Sequence, residues 1–167
     1  MTSHRQIMVN AATAVRDSAA VLQYAVQHFG RGLEIVVGAY AGAEDQSGIP
    51  GEHESPFLWL YAAGENESVA ADETFTMRAV VGGCVTDANG SQIVTAAVSP
   101  RTEEANGLVV NGGNKTVEDF RDLIMGVIRD AKAGAIVQKM RRTENDISHF
   151  PLEWAEFEVD YLEPEAP

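Results

Sequence analysis

The sequence has very little of the material from which disulfides and metal sites are made. Of 167 residues, one is cysteine and four are histidine. Cys84 lies in the apolar segment 79–85, so we predict a small buried side chain in a reducing compartment. The histidines are far apart in the chain and none has the spacing of a zinc motif: His4, His28, His53 and His149. We therefore predict no metal site and no cofactor.

Long apolar runs are also missing. No segment reaches the roughly 20 apolar residues that a membrane-spanning helix needs. The first residues, 1–6, do not combine a basic stretch with an apolar block, as a signal peptide does. We therefore expect neither a membrane partner nor a signal peptide.

Positive charge is scarce. The chain has 12 Lys and Arg against 25 Asp and Glu, which gives a formal net charge of −13. Such a field repels a phosphate backbone, which argues against sequence-specific binding of DNA or RNA. The same field suits a surface along which nucleic acid slides without adhering.

Catalytic motifs are absent as well. No Gly-x-Ser-x-Gly nucleophile elbow occurs, and the glycine-rich segment 107–116 lacks the spacing of a phosphate-binding loop. His53, with neighbouring carboxylates at 44, 45 and 52, could form a cation site, although a solvated loop is the preferred interpretation. We predict no catalytic residue.

Helical periodicity is present in two segments. Residues 3–29 carry an apolar stripe between a Ser3 cap and Gly30, and we predict one long helix. A second helix is predicted from Thr116, whose cap partner is Asp119, to Gly134. Periodicity does not decide whether 135–142 extends that helix or forms a strand.

Strand patterns fill much of the rest. We predict strands at 34–40, 57–62, 73–85, 93–98 and 152–162, with 57–62 buried on both faces. Polar segments at 42–56, 64–72 and 99–114 are predicted loops, and residues 87–90 form a turn signal. The tail 163–167 is predicted to fray.

The closing strand, 154–161, is predicted to be half exposed. Trp154, Phe157, Val159 and Tyr161 would face a core while the acidic residues between them face water. The change of parity between Trp154 and Phe157 indicates a bulge. With no repeat and no linker, we predict one α+β domain over 1–167, a mainly antiparallel sheet with two principal helices on one face.

The order of these elements resembles that of the tail-terminator proteins, also called tail-completion or minor tail proteins, of long-tailed bacteriophages and prophages. The resemblance rests on the long first helix, the strands 56–61 and 74–81, the second helix and the closing strand 154–161. It covers nearly the whole chain and involves no signature motif. The segment 89–110 is larger than that pattern, so the loops that would face the lumen are not assigned.

The resemblance implies a structural virion protein without enzymatic activity. Such a subunit assembles as a hexameric ring, caps the tail tube and joins it to the head–tail connector protein. It would be made in the bacterial cytoplasm and reside in the virion tail. Two alternatives are another head–tail neck component, and a small-molecule-binding enzyme with a pocket near His53 or 111–115.

Charged residues supply the predicted interface of such a ring. The arginines suit acidic loops of a neighbouring subunit, and the acidic strand face offers a charged surface. The predicted interface residues are Arg101, Glu103, Glu104, Arg141, Arg142, Glu156, Glu158 and Asp160.

Overall fold

The computed structural model describes seven stretches of the chain. They are residues 3–38, 55–63, 74–84, 103–105, 108–110, 112–143 and 152–162. For 74, 84, 103–105, 108–110 and 112–115 only the backbone is described. Several predictions lie outside the described residues: the loop around His53, the loop 64–72, the turn 87–90, the strand 93–98, Arg101 and the tail 163–167.

The predicted long first helix is in fact two helices, α1 (His4–Arg16) and α2 (Ala19–Phe29). Asp17 is the C-cap of the first, and Ser18 starts the second because its side chain accepts a hydrogen bond from the backbone N–H of Val21. The cap at Ser3 is confirmed: its hydroxyl accepts from the N–H of Gln6 at 3.1 Å. Gly30 ends α2 with a φ of 79°, a conformation that suits glycine.

The third helix, α3 (Gly112–Asp130), begins one turn earlier than predicted. The glycines at its start have low helix propensity, which is why the pattern placed the boundary at Thr116. Thr116 is buried inside the helix, and its carbonyl accepts a 2.8 Å hydrogen bond from the Tyr24 hydroxyl. Thr116, the predicted cap, is therefore an interior residue of α3 that contacts α2.

The described residues contain seven strands in two sheets. Their bounds are β1 (Glu34–Val37), β2 (Phe57–Ala62), β3 (Thr74–Cys84), β4 (Glu103–Ala105), β5 (Leu108–Val110), β6 (Ile136–Thr143) and β7 (Leu152–Leu162). The main sheet has the order β1-β2-β3-β7-β6, parallel between β1 and β2 and antiparallel elsewhere. The protein thus has the predicted α+β fold with a mainly antiparallel sheet.

Three of the described strands were not predicted: one pair lies in a predicted loop, and one strand lies in a segment whose state periodicity leaves open. Strands β4 and β5 pair as a small antiparallel sheet within the predicted loop 99–114. The undecided segment 135–142 forms β6, after Gly134 with a φ of 91°. Tertiary pairing with β7 decides the second case, because local periodicity alone is ambiguous there.

The three helices in the described part of the chain pack on one face of the main sheet. Alternate residues of β2, β3 and β7 point to this face and are buried with the helical stripes. The largest of these buried side chains are Ile7, Leu58, Leu60, Phe75, Met77, Phe120, Ile124, Ile128, Phe157 and Tyr161. This cluster is the main core.

The second face of the sheet, turned away from the helices, has its own apolar cluster. Phe57, Val80, Leu152 and Trp154 form it, with half-buried aromatic neighbours on β2. The prediction of a half-exposed closing strand is therefore wrong, since β7 lies between β3 and β6 and is mostly buried on both faces.

The predicted bulge in the closing strand is also wrong. Every residue of β7 pairs with β3 in an unbroken register. Trp154 has even parity because it belongs to the second face, where an apolar cluster receives it. The irregularity in pairing lies instead in β6, between Val137 and Lys139.

Candidate assembly interface

The second face carries an ion-pair network that joins three strands. Arg78 of β3 donates to Oε1 of Glu158 from Nε at 3.0 Å and from Nη2 at 2.6 Å. Arg141 of β6 donates to the other oxygen of Glu158 and, at 2.7 Å, to Asp160. Asp160 also accepts a 2.7 Å hydrogen bond from the hydroxyl of Thr76. The network therefore links the side chains of the three adjacent strands β3, β7 and β6.

The network holds its carboxylates in the charged form. Burial alone would raise the pKa of Glu158, but the hydrogen bonds from Arg78 and Arg141 outweigh it and keep this pKa below its ordinary value. Asp160 behaves in the same way, with burial opposed by hydrogen bonds from Arg141 and Thr76, and its pKa is also lowered. Both groups are ionised at neutral pH.

Glu156 has the opposite electrostatic environment. Burial raises its pKa above the ordinary value, and the positive charge of Arg78 only partly offsets this effect. It sits two residues before Glu158 on the same face of β7. One strand face thus holds carboxylates whose pKa values move in opposite directions.

These positions correct the prediction that the acidic side chains of the closing strand face water. Glu158 is only 7% exposed, and Glu156 and Asp160 are half-buried. Arg141 pairs with two of them inside the chain. The structure brings these predicted interface residues together as an internal network.

Arg142 points to the other side of β6, towards α3. It donates to both oxygens of Asp122, at 2.9 and 3.1 Å. These hydrogen bonds, followed by one from Arg121, lower the pKa of Asp122. Adjacent arginines therefore pair with different elements, as alternation along a strand requires.

The structure does not place the remaining predicted interface residues in the main sheet. Glu103 and Glu104 belong to β4, where their backbones pair with Val110 and Val109. Arg101 lies outside the described residues.

Among the described strands the outer side of β6 is one edge of the main sheet, bordered by an open groove of about 910 Å³ between β6 and α3. Basic residues dominate its charged lining, since Arg129, Lys132, Lys139 and Arg142 stand against the single carboxylate of Asp122. Ile136 also lines the groove and is 60% exposed. This edge is therefore basic and partly apolar, in a chain with a net charge of −13.

The outer side of β1 is the opposite edge of the same sheet. A groove of about 300 Å³ lies between β1 and α1, with a lining that is mainly apolar: Val9, Ala12, Thr13, Arg16, Leu33, Ile35 and Val37. Val9 is 37% exposed. Glu34 begins β1 and is exposed. The two edges of one sheet thus carry different side chains.

The functional candidates that sequence reasoning missed are Glu34, Ile136 and Lys139. The sequence shows which residues these are but not that they lie at a sheet edge. The edge position follows from the strand order, which pairs β1 only with β2 and β6 only with β7 in the described part of the chain. The signal that came closest was the undecided segment 135–142. Its assignment as a strand would have placed Ile136 and Lys139 in the sheet, but not at its edge.

Comparison with known proteins assigns no family: no protein-family model matches the chain, and no curated protein gives a significant match. Within the described residues, no group of three or more His, Cys, Asp or Glu side chains could hold a metal ion. None of the described helices combines the length and apolar character needed to cross a membrane. The positions at which the enzyme alternative would place a pocket, His53 and the side chains of 111–115, are outside the described part.

Proposed function

We propose that the chain is a structural subunit of a long-tailed phage or prophage, a tail-terminator-like ring protein that caps the tail tube and joins it to the head–tail connector. One observation carries this proposal. In the described part of the chain the main sheet ends in two unlike edges, a basic one at β6 and a mainly apolar one at β1, where Glu34 is exposed and Arg16 lines the groove. The element order that resembles this family points the same way.

Unlike edges favour a head-to-tail contact between copies. In a symmetric dimer the same patch meets itself, whereas a head-to-tail contact joins two different patches and closes into a ring when its rotation permits. Basic side chains at Lys132 and Lys139 would repel their own copies across a two-fold axis. The charge distribution therefore supports a cyclic assembly.

The net charge fits the same role. A ring at the end of a tail tube surrounds a DNA passage, and a charge of −13 on each copy keeps that passage non-adhesive to phosphate. The basic residues at β6 do not contradict this, because an interface between copies would cover them. The virion tail is the proposed location, with no bound cofactor and no enzymatic step.

The test uses the purified chain and tail tubes grown from the tube protein of the same phage or prophage. Electron microscopy should show a ring at one end of each tube, and tubes that carry it should stop elongating. A parallel sample without the chain gives the elongation rate to compare. Tubes that remain bare and keep elongating would contradict the proposal.

The alternative function is that of another head–tail neck component with the same fold. It differs in its neighbours, since it would bind the connector and leave the tube free. Adding isolated connector to the same experiment separates the two. Rings on the connector alone would favour the neck component over the terminator.

A further inference from the structure

The strand directions determine how two copies could continue one sheet. β1 and β2 run in the same direction, and each later neighbour in the order β2-β3-β7-β6 reverses it. β1 and β6 therefore run in opposite directions at the two edges. If rotation about an axis along the strands relates the copies, β6 of one copy meets β1 of the next in antiparallel orientation.

In the described part of the chain β1 pairs with β2 alone, which leaves backbone groups on its outer side for such a contact. The N–H of Glu34 donates to Pro56 at 2.9 Å and the N–H of Gly38 donates to Leu60 at 2.7 Å, both towards β2. Because alternate residues of a strand direct their backbone groups to opposite sides, Ile35 and Val37 direct theirs to the outer edge. A neighbouring strand would satisfy them.

The register between β6 and β1 of the next copy must place side chains of the same sheet face opposite each other. On β6, Lys139 lies opposite Asp160 and belongs to the second face, whereas Val137 lies opposite Tyr161 and belongs to the helix face. On β1, Ile35 packs with the main core, so Glu34 and Val36 belong to the second face.

The bulge in β6 allows residues on both sides of it to face β1 residues of the same sheet face. Gln138 is the extra residue between Val137 and Lys139. If Glu34 lies opposite Lys139, then Ile35 lies opposite Val137 and Val36 lies opposite Ile136. Each pair shares a face, one is oppositely charged and two are apolar.

The same features discourage pairing with an arbitrary strand. Edge strands are commonly protected by lysine, by bulges and by short length. β6 has the first two, at Lys139 and Gln138, and β1 has only four residues. A partner must therefore supply a carboxylate at the position facing Lys139 and a residue spacing that fits the bulge, and β1 of a second copy does both.

We propose that β6 of each copy pairs antiparallel with β1 of the next, with Glu34 opposite Lys139 and Val36 opposite Ile136. The inference rests on the proposed ring function and specifies its subunit contact. Burial of the exposed Ile136 side chain and the Glu34–Lys139 pair give the contact its selectivity.

Cysteine cross-linking tests the contact. In a Cys84→Ser background, which leaves no native cysteine, Val36→Cys and Ile136→Cys are combined in one chain. Directly opposite residues of an antiparallel pair are close enough for a disulfide. Oxidation at micromolar concentration should give a ladder of covalent oligomers. The matched control combines Ile136→Cys with Gln23→Cys, an exposed position on α2, and should remain monomeric on a denaturing gel.

The outcomes separate this inference from the proposed function. Covalent dimers from Ile136→Cys alone would show that β6 meets β6 and would overturn the inference. Oligomers in solution without the 36–136 cross-link would also overturn it while leaving the ring function intact. A chain that is monomeric in solution would contradict the ring function itself.

A charge exchange gives a second readout. Lys139→Glu and Glu34→Lys should each raise the concentration at which the oligomer dissociates at least tenfold, and the double variant should recover most of that loss. Melting temperatures of the monomeric variants check that each still folds. Equal, additive weakening by the two changes would show that these residues do not meet.

Discussion

Arg78 and Glu158 form the most direct link between the central strands, through two hydrogen bonds to one carboxylate oxygen, at 3.0 and 2.6 Å. Glu158 is 7% exposed, and its other oxygen accepts from Arg141. A carboxylate buried in this way must be paired, since an unpaired buried charge is strongly destabilising. The acidic strand is therefore a structural element of the sheet.

Replacing Glu158 by Gln should lower the free energy of unfolding by about 2 to 3 kcal/mol, because Arg78 loses the carboxylate it donates to and Arg141 keeps only Asp160. Chemical denaturation at pH 7 measures the effect. The matched control is Asp130→Asn, which removes the exposed pair with Arg129 and should cost no more than about 0.5 kcal/mol. Equal losses for the two variants would contradict a structural role for the network.

Acidification should weaken this network. The folded-state pKa of Glu158 is lowered, so its stabilisation is fully present above the ordinary value of 4.5 and is lost as the pH falls through the folded pKa. Glu158→Gln should remove part of this dependence. Unfolding free energies at a series of pH values between 7 and about 3 test it, and an unchanged slope in the variant would contradict it.

The contribution of Glu156 to stability should depend on pH in the opposite direction. Its folded-state pKa is raised, so its ionised form destabilises the fold above that pKa, and this cost disappears below the ordinary value of 4.5. Glu156→Gln should therefore raise stability at pH 7 and have little effect at about pH 4. The same pH series measures it. A loss of stability at pH 7 would mean that the charged form makes favourable contacts that outweigh its burial.

The hydroxyl of Tyr161 is a buried group without a hydrogen-bond partner among the described residues. The side chain is fully buried, and burial raises its pKa to about 12. Tyr161→Phe should leave stability unchanged or raise it by about 1 kcal/mol, since an unpaired hydroxyl is costly to bury. The contrast is Tyr24→Phe, which removes the 2.8 Å bond to Thr116 and should cost about 1 kcal/mol. Thermal melts should show a lower melting temperature for Tyr24→Phe and an equal or higher one for Tyr161→Phe. A clear loss in Tyr161→Phe would contradict an unpaired hydroxyl.

Gly82 is held by close packing on the second face. A Cβ there would lie 2.1 Å from the ring of Phe57, so Gly82→Ala should destabilise the protein by about 2 kcal/mol or more. Gly126→Ala is the control, because its nearest contact would be 3.8 Å away and alanine favours the helix by about 1 kcal/mol. Denaturation midpoints should fall for the first and rise for the second. Similar midpoints would contradict the packing at Phe57.

Much of the fold follows from local pattern. The strands 57–62 and 152–162 have the predicted bounds, and the caps at Ser3 and Gly30 lie where predicted. The errors arise where tertiary contacts decide. Trp154 has the wrong parity for a one-sided strand, because its face carries a second apolar cluster that no local pattern reveals.

The candidate site was less accessible from sequence. The acidic residues of β7 form an alternating pattern that a solvent-facing strand also gives, and only the positions of Arg78 and Arg141 on the flanking strands show that they are paired. The edge residues Glu34 and Lys139 depend on strand order. Order is set by long-range packing, which a single sequence does not display.

The mass of the native oligomer decides whether the chain forms the proposed ring. Native mass spectrometry of the purified chain at micromolar concentration should give one closed species of several copies, six if the resemblance to tail terminators holds, at multiples of 18.0 kDa. A cyclic assembly gives one defined size, whereas an open head-to-tail contact gives a distribution. A chain that stays monomeric, or stops at a symmetric dimer, would contradict the account.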